Sequence, residues 1–213
     1  ELCESLTKKG HRVEIINFKL LYPTFLFPGK TQFQKSDNSI NQKSHRILNT
    51  VNPFNWVFVI KKIKKIKPDL IITIYWTGLL SPCYYFINKF ISKSVKKIGI
   101  IHNVVSHEKR PIEKYLIKLY LSKLDKYFTL SKNVLNQIQN IIKEKKGVKL
   151  FHPLPNKFGI KADKIFSKKT LDLNNQNEYI LFFGLIREYK GLEILIHSFP
   201  KVLENNPNIK LLI

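Results

Sequence analysis

Short apolar segments alternate along the chain with longer stretches in which apolar residues recur at helical spacing. Apolar residues within 2–6 share one helical face, Gly10 follows them, and the alternation over 12–15 begins a strand. This pattern predicts a helix that leads into a strand. Because the helical pattern already begins at Glu1 and the chain stops at Ile213 within a strand-like segment, we expect both natural ends to be missing.

The pattern is lost from Leu20 to Thr50, where proline, glycine, asparagine, glutamine and serine dominate, and we predict a long, partly ordered loop there. Residues 55–67 form an apolar and lysine-rich helical pattern that ends at Pro68. The β-branched segment 70–74 then predicts a buried strand.

The uncharged segment 70–87 is long enough to be considered as a membrane span. Gly78 interrupts it, however, and Ser81 followed by Pro82 is typical of a helix N-cap and first turn. Basic residues flank both ends, so the segment carries no orientation signal. We therefore predict a strand, a loop and a buried helix instead of a membrane span.

Three further strands and two helices continue the alternation. The strands are predicted at 97–101, 127–130 and 148–151; one helix has Leu116, Leu119 and Tyr120 on its apolar face, and the other, capped by Ser131, has Val134, Leu135, Ile138, Ile141 and Ile142. Such alternation predicts a parallel sheet with helices on both faces and right-handed connections.

The polar segment 158–178 is predicted to be a linker, which places a first domain over residues 1–157. A second unit, 179–213, begins with the strand 179–183 and ends with the strand 209–213. Between them lies a helix whose inward residues are predicted to be Leu192, Leu195, Ile196 and Phe199. The predicted fold class is α/β: a Rossmann-like, doubly wound parallel sheet, followed by the first strand, helix and strand of a second Rossmann-like domain.

The chain is strongly basic, with a formal net charge of +22 and a pI near 9.9. That charge is compatible with nucleic acid or an anionic membrane as partner. The lysines are scattered, however, and are accompanied by abundant isoleucine and asparagine, as an AT-rich coding sequence produces. Aromatic residues are not interleaved with the basic ones and no nucleic-acid motif is present, so we predict no nucleic-acid partner.

The two cysteines, Cys3 and Cys83, are far apart and belong to no CxxC or His-Cys spacing. A disulfide framework or a structural zinc site is therefore not expected, and a reducing cytosol fits this composition. The sequence predicts a cytoplasmic protein, with peripheral attachment to the inner face of the plasma membrane left open.

In an open parallel sheet, ligands bind beyond the carboxyl ends of the strands, and the loop 184–191 occupies that position in the second unit. It precedes a helix N-terminus, which favours an anion. Gly184 permits a close approach of the backbone, Arg187 offers a planar fork suited to phosphate, and Lys190 adds a mobile charge. Together these residues are typical of a diphosphate clamp, although two cations on a loop of a lysine-rich protein also arise by chance.

The loop after the strand 97–101 carries His102, Asn103, His107 and Glu108. His102 could donate a hydrogen bond to a sugar hydroxyl or stabilise charge, and Glu108 could orient it or contact an acceptor; a structural histidine explains the position equally well. A zinc-binding HExxH motif fails because position 111 is proline, so no metal site is predicted.

Several segments resemble one enzyme family. The segment 179–199 (YILFFGLIREYKGLEILIHSF), followed by 206–213 (NPNIKLLI), resembles the opening of the C-terminal domain of family-four (group-one) glycosyltransferases. The segment 101–111 (IHNVVSHEKRP) resembles the His-Asn-Val-x-x-His-Glu segment of a bacterial branch of that family. Phe151-His152-Pro153-Leu154 and Phe158-Gly159 resemble the segment before its interdomain linker. The resemblance is weakest over 20–60.

This resemblance implies a GT-B fold and a retaining transfer of a sugar from a nucleotide-diphosphate donor to a saccharide or lipid-linked acceptor, in the cleft between two Rossmann-like domains. No metal and no cofactor besides the nucleotide-sugar substrate would be required. Gly184, Arg187 and Lys190 would bind the donor diphosphate, and His102 would be the catalytic residue on the sugar side. Asn103, His107 and Glu108 are the acceptor-side candidates.

The family's glycine-rich loop and its pair of downstream glutamates would fall before Glu1 and after Ile213. We therefore expect this polypeptide to bind donor weakly and not to turn over. Two alternatives stay open. One is a non-catalytic, basic membrane-surface module that uses the lysines of 61–67 beside Trp56 and Phe58. The other is a nucleotide-sugar epimerase or a related two-domain enzyme, because fold alone does not fix activity.

Overall fold

The computed structural model describes residues 1–23, 43–104, 112–153 and 159–213. The chain divides into two compact units, Glu1–Leu154 and Pro155–Ile213. The elements of the first unit are α1 (Leu2–Lys8), β1 (Glu14–Leu20), β2 (Lys43–Asn49), α2 (Pro53–Ile66), β3 (Leu70–Tyr75), α3 (Leu80–Phe90), β4 (Lys96–Ile101), α4 (Glu113–Leu121), β5 (Lys126–Thr129), α5 (Lys132–Ile141) and β6 (Gly147–Lys149).

All strands of the first unit pair in parallel. β1 pairs with β2, and the other strands form a four-stranded sheet in the order β3-β4-β5-β6. Neighbouring strands of this sheet are therefore consecutive in the chain, and each connection contains one helix. Right-handed crossovers place the connecting helices α3, α4 and α5 on one face of the sheet. The predicted α/β fold with parallel strands is confirmed.

Large tyrosine side chains fill the core between this sheet and its helices. Tyr75, Tyr120 and Tyr127 are completely buried. The rings of Tyr75 and Tyr120 are stacked, with centroids 4.9 Å apart and an interplanar angle of 8°. The hydroxyl of Tyr120 lies 2.5 Å from Thr73 Oγ1. A buried hydroxyl with a partner avoids the desolvation penalty, so these contacts tie α4 to strand β3.

Helix α2 is an ordinary layer of the fold. Asn52 caps it, and its side-chain oxygen accepts hydrogen bonds from the amides of Phe54 and Asn55. The residues facing the core are Trp56, Val59, Ile60 and Ile63. Val57 is not part of this inward face and is 43% exposed, because it follows Trp56 by one residue and therefore points away from the core.

Strand β2 lies inside the segment 20–50, where the sequence predicted a loop, and this prediction was wrong for 43–49. Only two of its seven residues, Ile47 and Leu48, are aliphatic, so the strand lacks an apolar signature. It is held by pairing with β1 and by the Glu14 carboxylate, which lies 3.1 Å from the ring of His45 and 3.9 Å from Lys43 Nζ. Residues 24–42 of the predicted loop lie outside the described part.

The segment 70–87 is a strand, a loop and a helix, as predicted. Ser81 is not the N-cap, however, because α3 begins at Leu80 and the Ser81 hydroxyl lies 2.9 Å from that of Tyr75. Pro82 is the third helical residue, a position whose amide has no partner within the helix. In the described part of the chain, none of the helices combines the length and the apolar character required to cross a bilayer.

The buried face of α4 differs from the predicted one. Ile117, Tyr120 and Leu121 are buried, whereas Leu116 and Leu119 are only half-buried. Glu113 lies on the same buried face, one turn before Ile117. Because one inward position is occupied by a charged residue, the apolar periodicity of the sequence does not identify the buried face correctly.

The second unit is smaller. Its elements are α6 (Lys164–Thr170), β7 (Glu178–Leu181), α7 (Leu192–Asn205) and β8 (Ile209–Leu212), with β7 and β8 parallel. Helix α6 lies in the segment predicted as a turn-rich linker, where Asp163 caps it by accepting from two amides at 2.9 Å. Leu192, Leu195 and Phe199 are half-buried as expected, but Ile196 is 46% exposed.

Candidate functional site

His102 follows directly on β4, at the carboxyl edge of the four-stranded sheet. Its amide donates a 2.8 Å hydrogen bond to the carbonyl of Tyr75, the last residue of β3. Tyr75 is itself fixed by its stacking on Tyr120 and by its contact with the Ser81 hydroxyl. The backbone of His102 is therefore held in register by the sheet, and the imidazole, which is half-buried, projects from a rigid position.

His152 is the partner of His102 at this edge. The two ring centroids lie 6.4 Å apart with an interplanar angle of 77°. His152 follows β6, and its Nδ1 lies 3.1 Å from the carbonyl oxygen of Pro153. Burial, and to a smaller degree the positive charge of His152, lowers the pKa of His102. The His102 ring is thus neutral at neutral pH and has both a donor and an acceptor nitrogen.

No chemical pattern in the sequence singles out His152, which was named only as part of a segment that resembles the family. His152 can be identified by its position just after β6. Because β4 and β6 end at the same edge of a parallel sheet, the residues that follow them lie on the same side as His102. Asn103 comes next to His102 and is exposed, whereas Val104 is 3% exposed and anchors the loop. His107 and Glu108 lie outside the described residues.

Glu113 is a second residue that the sequence did not single out. It stands in the first turn of α4, is 4% exposed, and lies so close to Gly78 that an added Cβ there would be 3.0 Å from its Cγ. Burial, with a contribution from the charge of Glu113, raises the pKa of Tyr75 to about 12, against the effect of its Ser81 hydrogen bond. A buried carboxylate thus stands near the strand end from which His102 is held.

In the second unit, the loop from Gly184 to Gly191 joins β7 to α7. Gly184 has φ 120°, and a Cβ added there would lie 2.5 Å from Lys190 Nζ. The ammonium group of Lys190 therefore lies over the bare backbone of Gly184. The sequence predicted that Gly184 permits a close approach, and the structure fills this space with a side chain of the same loop.

The three predicted clamp residues lie on this one short loop. Arg187 is exposed with an extended backbone, and its carbonyl accepts a 2.9 Å bond from the amide of Lys190. Gly191, with φ 69°, then begins α7 without a side-chain cap, so the first amides of the helix remain available. None of the ion pairs within the described residues involves Arg187 or Lys190. Two cations beside a helix N-terminus can bind an anion.

No three histidine, cysteine, aspartate or glutamate side chains among the described residues form a group that could hold a metal ion. Both cysteines are free thiols, and burial raises the pKa of Cys83 to about 12, so this thiol is unreactive at neutral pH.

Comparisons with known proteins give a match in structure only. No protein-family model and no curated protein sequence matches the chain. Among solved structures, the chain is similar to a sucrose-phosphate synthase from Thermosynechococcus elongatus, with a TM-score of 0.63 and 15% sequence identity over 99% of this chain. The chain spans 54% of the length of that glycosyltransferase. At this identity the likeness establishes the fold, and the chain has the Rossmann-like architecture of GT-B glycosyltransferases.

Proposed function

We propose that the chain belongs to a retaining glycosyltransferase that moves a sugar from a nucleotide-diphosphate donor to a saccharide or lipid-linked acceptor. The observation that carries this proposal is the packing of Lys190 over Gly184, in a loop that also exposes Arg187 beside the N-terminus of α7. The GT-B architecture and the resemblance of this loop to family-four enzymes support the same assignment.

The clamp acts on the leaving group. As the bond between the sugar and the donor phosphate breaks, negative charge develops on the departing diphosphate, and Arg187, Lys190 and the amides of α7 stabilise it. The acceptor oxygen forms the new bond to the sugar, and its proton passes to the departing phosphate. The proposal requires no metal ion and no separate general base.

His102 acts on the sugar side in this proposal. Its lowered pKa keeps the ring neutral, so it donates a hydrogen bond to a sugar hydroxyl without adding a charge. Asn103, together with His107 and Glu108, is proposed to contact the acceptor.

The test is a titration of the chain with inorganic pyrophosphate and with UDP, GDP and ADP, followed by amide NMR. We expect the largest shifts within residues 184–194 and weak binding, with Kd of about 0.1 mM or higher. Arg187→Ala and Lys190→Ala should each weaken pyrophosphate binding by about three- to tenfold, because each removes one charge-assisted contact.

The matched controls are Lys201→Ala and Lys210→Ala, which remove one exposed charge each from the same unit. If these variants weaken binding as much as Arg187→Ala and Lys190→Ala do, the anion is attracted only by the general positive charge. The diphosphate-binding role of Arg187 and Lys190 is then contradicted. Micromolar donor binding would contradict the expected weak affinity. Incubation with a nucleotide sugar that yields an epimer and no transfer product would favour the epimerase alternative.

A further inference from the structure

The outward surface of α2 is divided into an apolar half and a basic half. Phe54, Val57 and Phe58 are 87%, 43% and 56% exposed on its first two turns. Lys61 and Lys65 continue the same line at helical spacing on the last two turns and are exposed as well. These five residues are called the α2 outer stripe. The stripe lies opposite the buried face, so the packing of α2 onto the core does not account for it.

The two helices that follow α2 also expose aromatic and basic side chains. Helix α3 contacts α2 and α4 contacts α3. Helix α3 exposes Phe90 (47%), whose ring contacts that of Phe86 at a tilt of 50° and lies near Lys89. Helix α4 exposes Tyr115 (66%), and Lys114 and Lys118 lie on the same helix.

Carboxylates are missing from the exposed faces of this layer. The three helices carry four, one and two lysines, and the single carboxylate in their sequences, Glu113, is 4% exposed. The exposed lysines therefore face no acidic neighbour on their own helices. A surface of this kind is complementary to a dense layer of negative charge.

The order of residues along the stripe favours a lipid bilayer over nucleic acid as the binding partner. Nucleic-acid surfaces interleave aromatic and basic side chains so that bases stack between phosphate contacts. In the α2 outer stripe the apolar residues come first and the lysines second, and one apolar member, Val57, has no ring on which a base could stack. Apolar side chains can instead enter the boundary between headgroups and acyl chains while lysines contact anionic headgroups.

We propose that the α2 outer stripe docks this protein on an anionic lipid bilayer. Phe54, Val57 and Phe58 enter the interfacial layer, and Lys61 and Lys65 pair with the headgroups. Trp56, which sequence reasoning had included in such a contact, takes no part because it is buried and its Nε1 donates to the carbonyl of Asn49 at 2.8 Å. This proposal does not depend on the transferase assignment, since docking involves no sugar chemistry.

The experiment is vesicle flotation of the 213-residue chain at about 0.1 M salt, where the Debye length is about 10 Å. Vesicles contain phosphatidylcholine alone or with about a third phosphatidylglycerol. We expect binding to the anionic vesicles only. Lys61→Glu with Lys65→Glu should lower the partition coefficient by about 30-fold or more, because each lysine at such a surface contributes about 1 kcal/mol.

The matched control carries the same charge change elsewhere in the first unit, Lys143→Glu with Lys146→Glu, at two exposed residues. A net charge of +22 attracts any polyanion, so this control decides whether the stripe matters. If the control loses as much binding as the stripe variant, attraction is delocalised and the proposal is overturned. Circular dichroism verifies that each variant is folded.

A separate experiment tests whether the phenylalanine side chains enter the bilayer, independently of electrostatic attraction. When anionic vesicles are added, the tryptophan emission of Phe58→Trp should shift to shorter wavelength more than that of the wild type. The double variant Phe54→Ser with Phe58→Ser should bind the vesicles less strongly, although its charge is unchanged. An unshifted emission, or unaltered binding of the double serine variant, would overturn the insertion of these side chains. Binding of a single-stranded oligonucleotide through the same stripe residues, with no binding to vesicles, would assign the surface to nucleic acid instead.

Discussion

Gly184 is a position where one added methyl group should disturb the second unit. Its φ of 120° lies in a region that residues with a Cβ rarely adopt, which costs about 1–3 kcal/mol, whereas Lys190 can move its flexible end away. Gly184→Ala should therefore accelerate amide exchange in β7 by about tenfold or more. Gly10→Ala is the control, since Gly10 also has a positive φ but lies in the other unit with open space around it. Unchanged exchange in β7 would contradict the prediction.

His102 predicts an acid-dependent loss of stability. Its pKa in the folded chain lies below the usual histidine value of about 6.5, so below that pH the unfolded chain binds the proton more readily than the folded chain. The stabilising contribution is complete above about pH 6.5 and is lost as the pH falls through the folded-state pKa. Urea unfolding between pH 7.5 and 5 should show a smaller acid loss for His102→Gln than for the wild type. An equal slope for both proteins would contradict this assignment.

His152 contributes the smaller part of that shift. In an NMR titration, His152→Gln should raise the pKa of His102 while leaving it below 6.5, because burial is the larger cause and is unchanged. His11→Gln, at an exposed residue near the amino end of β1, is the control and should leave the His102 titration as it is. A His102 pKa that returns fully to 6.5 in His152→Gln would show that charge, and not burial, dominates.

At the candidate site, the sequence was informative where backbone geometry follows from residue type. The role of Gly184 in letting an anion approach the backbone stays a prediction, and the atom that lies over it, Lys190 Nζ, depends on the turn that brings position 190 back over 184. His152 was missed as a chemical partner of His102 because ring contacts between residues fifty positions apart depend on strand order, which periodicity does not determine.

At the scale of elements, the N-caps of α2 and α5 should differ in their contribution to stability. Asn52 accepts from the amides of Phe54 and Asn55 at the start of α2, whereas Ser131 occupies the N-cap position of α5 without a side-chain capping bond. Asn52→Ala should lower the free energy of unfolding by about 0.5–2 kcal/mol, and Ser131→Ala should have a clearly smaller effect. The comparison is made by urea denaturation. Equal losses for the two variants would contradict the difference in capping.

Strands and helices with strong apolar periodicity were predictable, and those held by polar contacts were not. Strand β3 was predicted correctly because its residues are mostly apolar and β-branched, as is typical of parallel strands. Strand β2 was missed because its pairing with β1 is reinforced by Glu14, His45 and Lys43, which form no apolar pattern. Helix α6 was missed for a similar reason: Asp163 begins it, but its seven residues include three lysines.

At the scale of the whole molecule, the excess of positive charge should make stability depend on salt. The chain has 37 lysine and arginine residues against 15 aspartate and glutamate residues. Their mutual repulsion disfavours the compact state and is screened as the Debye length falls from about 30 Å at 0.01 M to about 10 Å at 0.1 M salt. Tm should therefore rise over this range. Sorbitol at the same osmolality is the control, because it is uncharged and cannot screen the repulsion between positive charges. A Tm that falls with added salt would contradict the prediction.

Two glycines in the four-stranded sheet, Gly99 in β4 and Gly147 in β6, limit which substitutions the first unit can accept. A Cβ at Gly99 would lie 2.7 Å from the Tyr120 hydroxyl, and one at Gly147 would lie within the ring of Tyr127. The space beside each glycine is thus occupied by a tyrosine ring, which comes from helix α4 at Gly99 and from the neighbouring strand β5 at Gly147. Variation at these positions can only be coordinated: a larger residue in the strand becomes tolerable after the facing ring has been replaced by a smaller side chain.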